Sequence, residues 1–211
     1  MKYILCYGDS NTWGCIPEHK GRYDFDKRWT GVMQKELGPS YHIYENALNG
    51  RTTVFEDPIE ERRNGRDNFE TLLEIHSPLD LIILMLGTND CKDRHNQTPW
   101  DIAWGVDLLV TLIEKSACGR EGKTPQILIA APIHLNNRWG ETLHGTIFSD
   151  KAIEKSTQLS APYQKVAQLH SCHFFDASTI AEAQGDGIHM YEEDLKKLGL
   201  AFAKEVRSIL A

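Results

Sequence analysis

The chain has 211 residues, 41% hydrophobic and 25% charged, with a formal net charge of -7. That balance belongs to a soluble globular protein and excludes both a disordered chain and a membrane-embedded one. The acidic excess, with no block of Lys or Arg, excludes an electrostatic footprint for nucleic acid or anionic lipid and leaves a small molecule as the expected partner.

The length suits one domain, 1–211, around a single core. Tyr3 to Tyr7 is a continuous apolar run, as expected of a strand covered on both faces, and is too short for the hydrophobic region of a signal peptide. Gly8-Asp9-Ser10-Asn11 then breaks it. Tyr41 to Glu45 is a weaker, more polar strand, and Phe69, Leu72, Leu73 and His76 have the spacing of a short helix. Leu81 to Leu86 is the most hydrophobic strand and runs into Gly87-Thr88-Asn89-Asp90. Thr98, Pro99 and Asp101 supply an N-cap hydroxyl, a proline at the first helical position and an acid three residues after the cap. The helix they open carries an apolar stripe of Ile102, Val106, Leu109 and Ile113, with Gly119 as its stop. Gln126 to Ala131 and His173 to Phe175 read as further strands, Lys151 to His170 as a helix kinked or broken by Pro162, and Leu195, Leu198, Phe202, Val206 and Leu210 as a terminal helix.

Five strands alternating with helices predict an α/β/α three-layer sandwich with a parallel sheet and right-handed crossovers. In the flavodoxin-like order 2-1-3-4-5, ligands bind beyond the carboxyl ends of the first and third strands, where the strand order reverses. Ser10 and Asn89 would meet there. Five cysteines, none in a Cys-x-x-Cys pair, read as reduced thiols and point to the cytoplasm.

Ser10 is a nucleophile only with a base in hydrogen-bond reach. Nine histidines compete for that role, and His189 differs in having Asp186 three residues before it, so that one turn can present carboxylate and imidazole together. The Asn89 amide and the backbone N–H groups of Ser10 and Gly50 are candidate donors to a developing oxyanion. Each of these pieces alone is also an ordinary turn: Asp9-Ser10 as an N-cap, Gly50 as a left-handed loop residue, Asn89-Asp90 and Asp186-Gly187 as turns. Their conjunction in the order Ser, Gly, Asn, His carries the chemistry.

With Ile4-Leu-Cys-Tyr-Gly-Asp-Ser-Asn-Thr-Trp-Gly14, Arg28-Trp-Thr-Gly31, Arg51-Thr-Thr53 and Asp80 to Asp90, the chain resembles the SGNH (GDSL-type) hydrolases over nearly its full length. It looks closest to the small bacterial arylesterase and acyltransferase branch. The resemblance implies Ser10 as nucleophile, His189 as base and Asp186 as its orienting partner. It also implies Ser10, Gly50 and Asn89 as the oxyanion hole, no cofactor, and a homo-oligomer with contacts around Gly21 to Arg28 and Pro132 to Phe148; no metal is expected from the residue spacing. Asn11 replaces the leucine of the family's naming motif and, with Trp13 and Ile188, is expected to line the substrate pocket. The expected substrate is a small, acetyl-type ester, hydrolysed or transferred through an acyl-enzyme. A carbohydrate acetyl esterase and a non-catalytic binding module on the same fold are the alternatives. His134, Glu141 and His144 match no helix-borne zinc spacing, Cys91 reads as a structural thiol, and no Gly-x-Gly-x-x-Gly follows the first strand to cradle a dinucleotide.

Overall fold

Strands β1 (Lys2–Gly8), β2 (Tyr41–Ala47), β3 (Leu81–Met85), β4 (Gln126–Ala131) and β5 (His173–Asp176) form one sheet in the order β2-β1-β3-β4-β5, and each neighbouring pair is parallel. The computed structural model describes residues 1–18, 21–139 and 146–211. Ile4 is paired with Ile43 on one side and Leu81 on the other, so β1 lies at the centre of the strand reversal.

The unbroken apolar runs of the inner strands follow from burial on both faces. Leu5, Tyr7, Ile82, Leu84, Ile127 and Ile129 pack with α3 (Phe69–His76), α4 (Pro99–Ser116) and α6 (Ser160–Leu169). The alternate residues Ile4, Cys6, Leu81, Ile83, Leu128 and Ala130 pack with α2 (Trp29–Leu37) and α7 (Glu192–Ile209). Leu195, Leu198, Phe202 and Val206 of α7 are fully or almost fully buried, each contributing about 1.5–3 kcal/mol by leaving water. Gly199 allows the approach of α7 to α2, because a Cβ there would lie 2.6 Å from the Trp29 carbonyl oxygen. The more polar run at Tyr41 became β2, an edge strand with one neighbour.

Two local expectations shift. The capping box of Thr98 and Asp101 forms as expected, but α4 stops at Ser116 with Ala117, not Gly119, in the left-handed conformation. Gly119 is instead required by crowding, since a Cβ would sit 2.5 Å from the Lys123 carbonyl oxygen. The segment around Pro162 divides into α5 (Asp150–Thr157) and α6, and the break precedes the proline. Pro162 lies in the first turn of α6, where its missing N–H has no intrahelical acceptor to lose. Among the described residues, no helix is long and apolar enough to cross a membrane.

Candidate active site

β1 delivers the chain to a one-turn helix, α1 (Ser10–Trp13), capped by Asp9, whose Oδ1 accepts the Asn11 N–H at 3.0 Å. Ser10 therefore sits at the first helical position directly beyond the strand. The loop before α7 is shaped by Gly187 at φ +74° and by hydrogen bonds from Gly187 N to the Gln184 carbonyl and from Gln184 N to the His189 carbonyl. Within it, Asp186 Oδ1 accepts the N–H groups of Ile188 (3.0 Å) and His189 (2.9 Å), while its Oδ2 lies 2.7 Å from His189 Nδ1. His189 Nε2 is 2.9 Å from Ser10 Oγ. With Nδ1–H donated to the carboxylate, Nε2 is the acceptor for the serine hydroxyl.

All three side chains are in buried residues. Burial alone pulls the His189 pKa down, but the hydrogen bond to Asp186, the Cys15 thiol beside the ring and the Asp186 charge outweigh it and lift the pKa above the ordinary imidazole value. Burial pushes Asp186 up, yet the imidazole and the two backbone N–H groups hold it well below the usual carboxylate range.

A cavity of about 220 Å³ opens over this trio. Its lining includes Ser10, Gly50, Asn89, Ile188 and His189, so residues from four separate stretches of chain are brought together. The N–H groups of Ser10 and Gly50 donate to no carbonyl or side chain among the described residues. Asn89 Nδ2 donates to the Arg51 carbonyl at 3.1 Å, which leaves its second N–H for the cavity. Arg51 is itself anchored: its guanidinium donates to the carbonyls of Gly8 (3.0 Å) and Asn46 (2.8 Å) and stacks over Tyr7 at 4.1 Å. The loops carrying Gly50 and Asn89 are further tied by Asp90, whose carboxylate accepts both Thr53 N–H (3.0 Å) and Thr53 Oγ–H (2.6 Å). Gly50 has φ +79°, a conformation that costs other residues about 1–2 kcal/mol.

Ile188 is in the lining of the cavity, and Asn11 and Trp13 are not. The Asn11 amide is turned into the fold, where Nδ2 donates to the Ile188 carbonyl at 3.1 Å and braces the loop that carries His189. Trp13 is covered by Arg22, whose guanidinium lies 4.8 Å from the ring centroid and whose Nε donates to the Trp13 carbonyl. The sequence reading missed Cys15, Asn49, Glu60, Lys92 and Ile147 in the lining, together with the inward role of Phe148. Only Lys92 had a usable signal, because it stands three residues after Asn89 at the end of a 3₁₀ turn, where such positions eclipse. Cys91 is buried, its thiol donates to the Gly87 carbonyl, and burial raises its pKa far above the ordinary value, so it offers no thiolate. His134 is half-buried; Glu141 and His144 lie outside the described residues.

The model of the GDSL-like lipase/acylhydrolase family matches residues 6–195. An aryl esterase from M. smegmatis is 38% identical, with a TM-score of 0.92, over 99% of this chain and 100% of its own. A carbohydrate acetylesterase from Sinorhizobium meliloti is also 38% identical, with a TM-score of 0.94, over 99% and 100%. A putative arylesterase from Agrobacterium tumefaciens is 36% identical, with a TM-score of 0.89, over 99% and 100%. A search of curated proteins gives no significant match. A family match across most of the chain, on the same residues that meet around the cavity, makes this protein a member of the GDSL-like lipase/acylhydrolase family and a carboxylic ester hydrolase.

Proposed function

We propose that the protein is a serine esterase acting on small, acetyl-type esters through an acyl-enzyme. The observation that carries this reading is the hydrogen-bonded line from Asp186 through His189 to Ser10, with contacts of 2.7 and 2.9 Å. Ser10 Oγ attacks the ester carbonyl carbon as its proton passes to His189 Nε2. The tetrahedral oxyanion is held by Ser10 N–H, Gly50 N–H and the Asn89 amide. His189 returns the proton to the departing alcohol, leaving an ester on Ser10. Water, activated by the same imidazole, then releases the acid, and an alcohol in its place gives acyl transfer.

The cavity of about 220 Å³, smaller than a typical drug-sized site, supports a short acyl group. Sugar acetates are the second reading, favoured by the likeness to the S. meliloti carbohydrate acetylesterase. A fluorophosphonate probe is expected to label the wild-type chain at Ser10 and to spare Ser10→Ala. Absence of labelling would favour a non-catalytic binding module. A series of acetyl, butyryl and hexanoyl esters measures the acyl limit, with the acetyl ester fastest.

The Asn89 amide stabilises charge that exists only in the transition state, so Asn89→Ala is expected to lower kcat by about 10²- to 10³-fold with little change in KM. The lost bond to Arg51 costs the fold only about 0.5–1.5 kcal/mol, so steady-state kinetics on folded protein read the effect directly. An unchanged kcat would remove Asn89 from the oxyanion hole.

This reading takes the whole chain as one domain and as a cytoplasmic homo-oligomer. The five free cysteines support a reducing compartment. Light scattering measures the assembly, and cell fractionation the compartment.

A further inference from the structure

The cavity wall beside Gly50 carries charges that the acyl-transfer steps leave unused. Asp57 is buried, and its Oδ1 accepts the N–H groups of Ile59 (2.9 Å) and Glu60 (3.0 Å), which sets the course of the loop at Glu60. Its Oδ2 takes Arg94 Nη2 at 2.6 Å and Lys92 Nζ at 3.3 Å. Both cations continue to a single oxygen of Glu60, with Lys92 Nζ and Arg94 Nη2 each 2.7 Å from Oε1. Two carboxylates and two cations thereby close on one another.

Glu60 Oε2 stands outside this closure and accepts no hydrogen bond from the described residues. It lies against the oxyanion-hole loop, because a Cβ built on Gly50 would be 2.5 Å from it. Glu60, Gly50, Ser10 and His189 line the same cavity. Partial burial raises the Glu60 pKa, and the Asp57 charge adds to that, but the hydrogen bond and charge of Lys92 and the hydrogen bond from Arg94 bring it below the ordinary carboxyl value. At neutral pH the group is an anion that can accept hydrogen bonds and cannot donate them. Held at two points through Oε1, it keeps a fixed position, unlike a freely moving surface carboxylate whose field is averaged and screened.

We propose that Glu60 is a specificity-determining residue: its Oε2 favours esters that bring a cationic or hydroxyl-bearing group alongside Gly50 and rejects those that bring a carboxylate. The proposal rests on the esterase reading above and gives it a substrate class, neutral polyhydroxylic or cationic esters as opposed to anionic ones. Lys92, Arg94 and Asp57 are positioning residues for that oxygen.

The test uses phenyl acetate, 4-acetoxybenzoate and 4-acetoxy-N,N,N-trimethylanilinium, compared as ratios of kcat/KM so that intrinsic leaving-group reactivity cancels between variants. Glu60→Gln is expected to raise the anion-to-neutral ratio about fivefold to tenfold and to lower the cation-to-neutral ratio by a similar factor. Glu61→Gln removes the same charge from an exposed neighbour and is expected to move either ratio by less than about twofold. Should Glu60→Gln fail to fold, Glu60→Asp draws the charge back from Gly50 and shifts both ratios the same way by a smaller factor.

Equal loss on all three esters, or ratios indistinguishable from those of Glu61→Gln, would overturn the proposal. A wild-type protein that turns over none of the three would sink the esterase reading instead. Dissociation constants of the same esters on Ser10→Ala protein, with and without Glu60→Gln, would then still decide the role of Glu60.

Discussion

Ser10→Ala is expected to lower kcat on phenyl acetate by about 10⁴- to 10⁶-fold, equivalent to about 5–8 kcal/mol of transition-state stabilisation. His189→Ala should fall in the same range, and the double variant should be no worse than either single one. The reason is that nucleophile and base act as one unit: with Ser10 gone there is no proton for His189 Nε2 to take, and with His189 gone the hydroxyl across the 2.9 Å contact is not activated. What remains comes from the oxyanion donors and from substrate binding, which neither change touches. Both variants are expected to keep the fold, because the loops that carry Ser10 and His189 are fixed by Asp9, Asn11 and the Asp186 bonds to backbone N–H groups, which neither change removes. If Ser10→Ala kept more than about a tenth of wild-type kcat, a loss far short of a missing nucleophile, another residue would be the nucleophile.

Asp186→Asn isolates the orienting carboxylate and carries a pH signature. Asparagine can still accept the Ile188 and His189 N–H groups through its carbonyl oxygen, so the loop is retained. Its NH₂ then faces His189 Nδ1 and forces the proton to Nε2, the nitrogen that must accept from Ser10. A loss of roughly 10³- to 10⁴-fold in kcat is expected from the wrong tautomer alone. Wild-type activity requires neutral His189 and therefore rises with pH through the imidazole pKa, which stands above the ordinary value of about 6.5 because Asp186 favours the charged ring. Removing the carboxylate charge lowers that pKa, so the acid limb of the kcat/KM profile moves to lower pH in Asp186→Asn. A limb that stays in place or moves upward would show that another group controls it.

The parts of the site legible beforehand share one property: their positions follow from local rules. Ser10 and Asn89 lie just past apolar runs that fit strands covered on both faces, and a parallel sheet in the order 2-1-3-4-5 puts those two strand ends side by side. Asp186 and His189 are three residues apart, so a single turn suffices to bring the carboxylate to Nδ1. The edge nature of β2 was foreshadowed by the polar residues of Tyr41–Ala47.

Side-chain direction within loops was not legible in that way. Asn11 is adjacent to the nucleophile, yet its amide is used against the Ile188 carbonyl, a partner 177 residues away in sequence. The expected break in the helical stretch from Lys151 to His170 occurs, but it falls between Thr157 and Ser160, which places Pro162 in the first turn of α6 and not at the break itself. Glu60 gave no sign of belonging to the cavity, since a charged residue in a polar loop is ordinarily solvated. It reaches the cavity because Asp57 folds the loop on itself and Thr52 N and Tyr7 Oη bond its far end, at the Arg63 and Gly65 carbonyls.

Taken by itself, the amino-acid sequence determined the strand and helix pattern and set Asp186 within one turn of His189, because hydrophobic periodicity and short-range spacing act through neighbouring residues. The 2-1-3-4-5 order is the expectation of the fold class, and the roles of Ser10, His189 and Asp186 come from the conjunction of motifs that resembles the SGNH hydrolases. Only the tertiary structure decided which loop side chains line the cavity and which oxygen of Glu60 has no hydrogen-bond donor among the described residues. Those outcomes depend on hydrogen bonds and ion pairs between segments distant in the chain, whose energies no local pattern encodes.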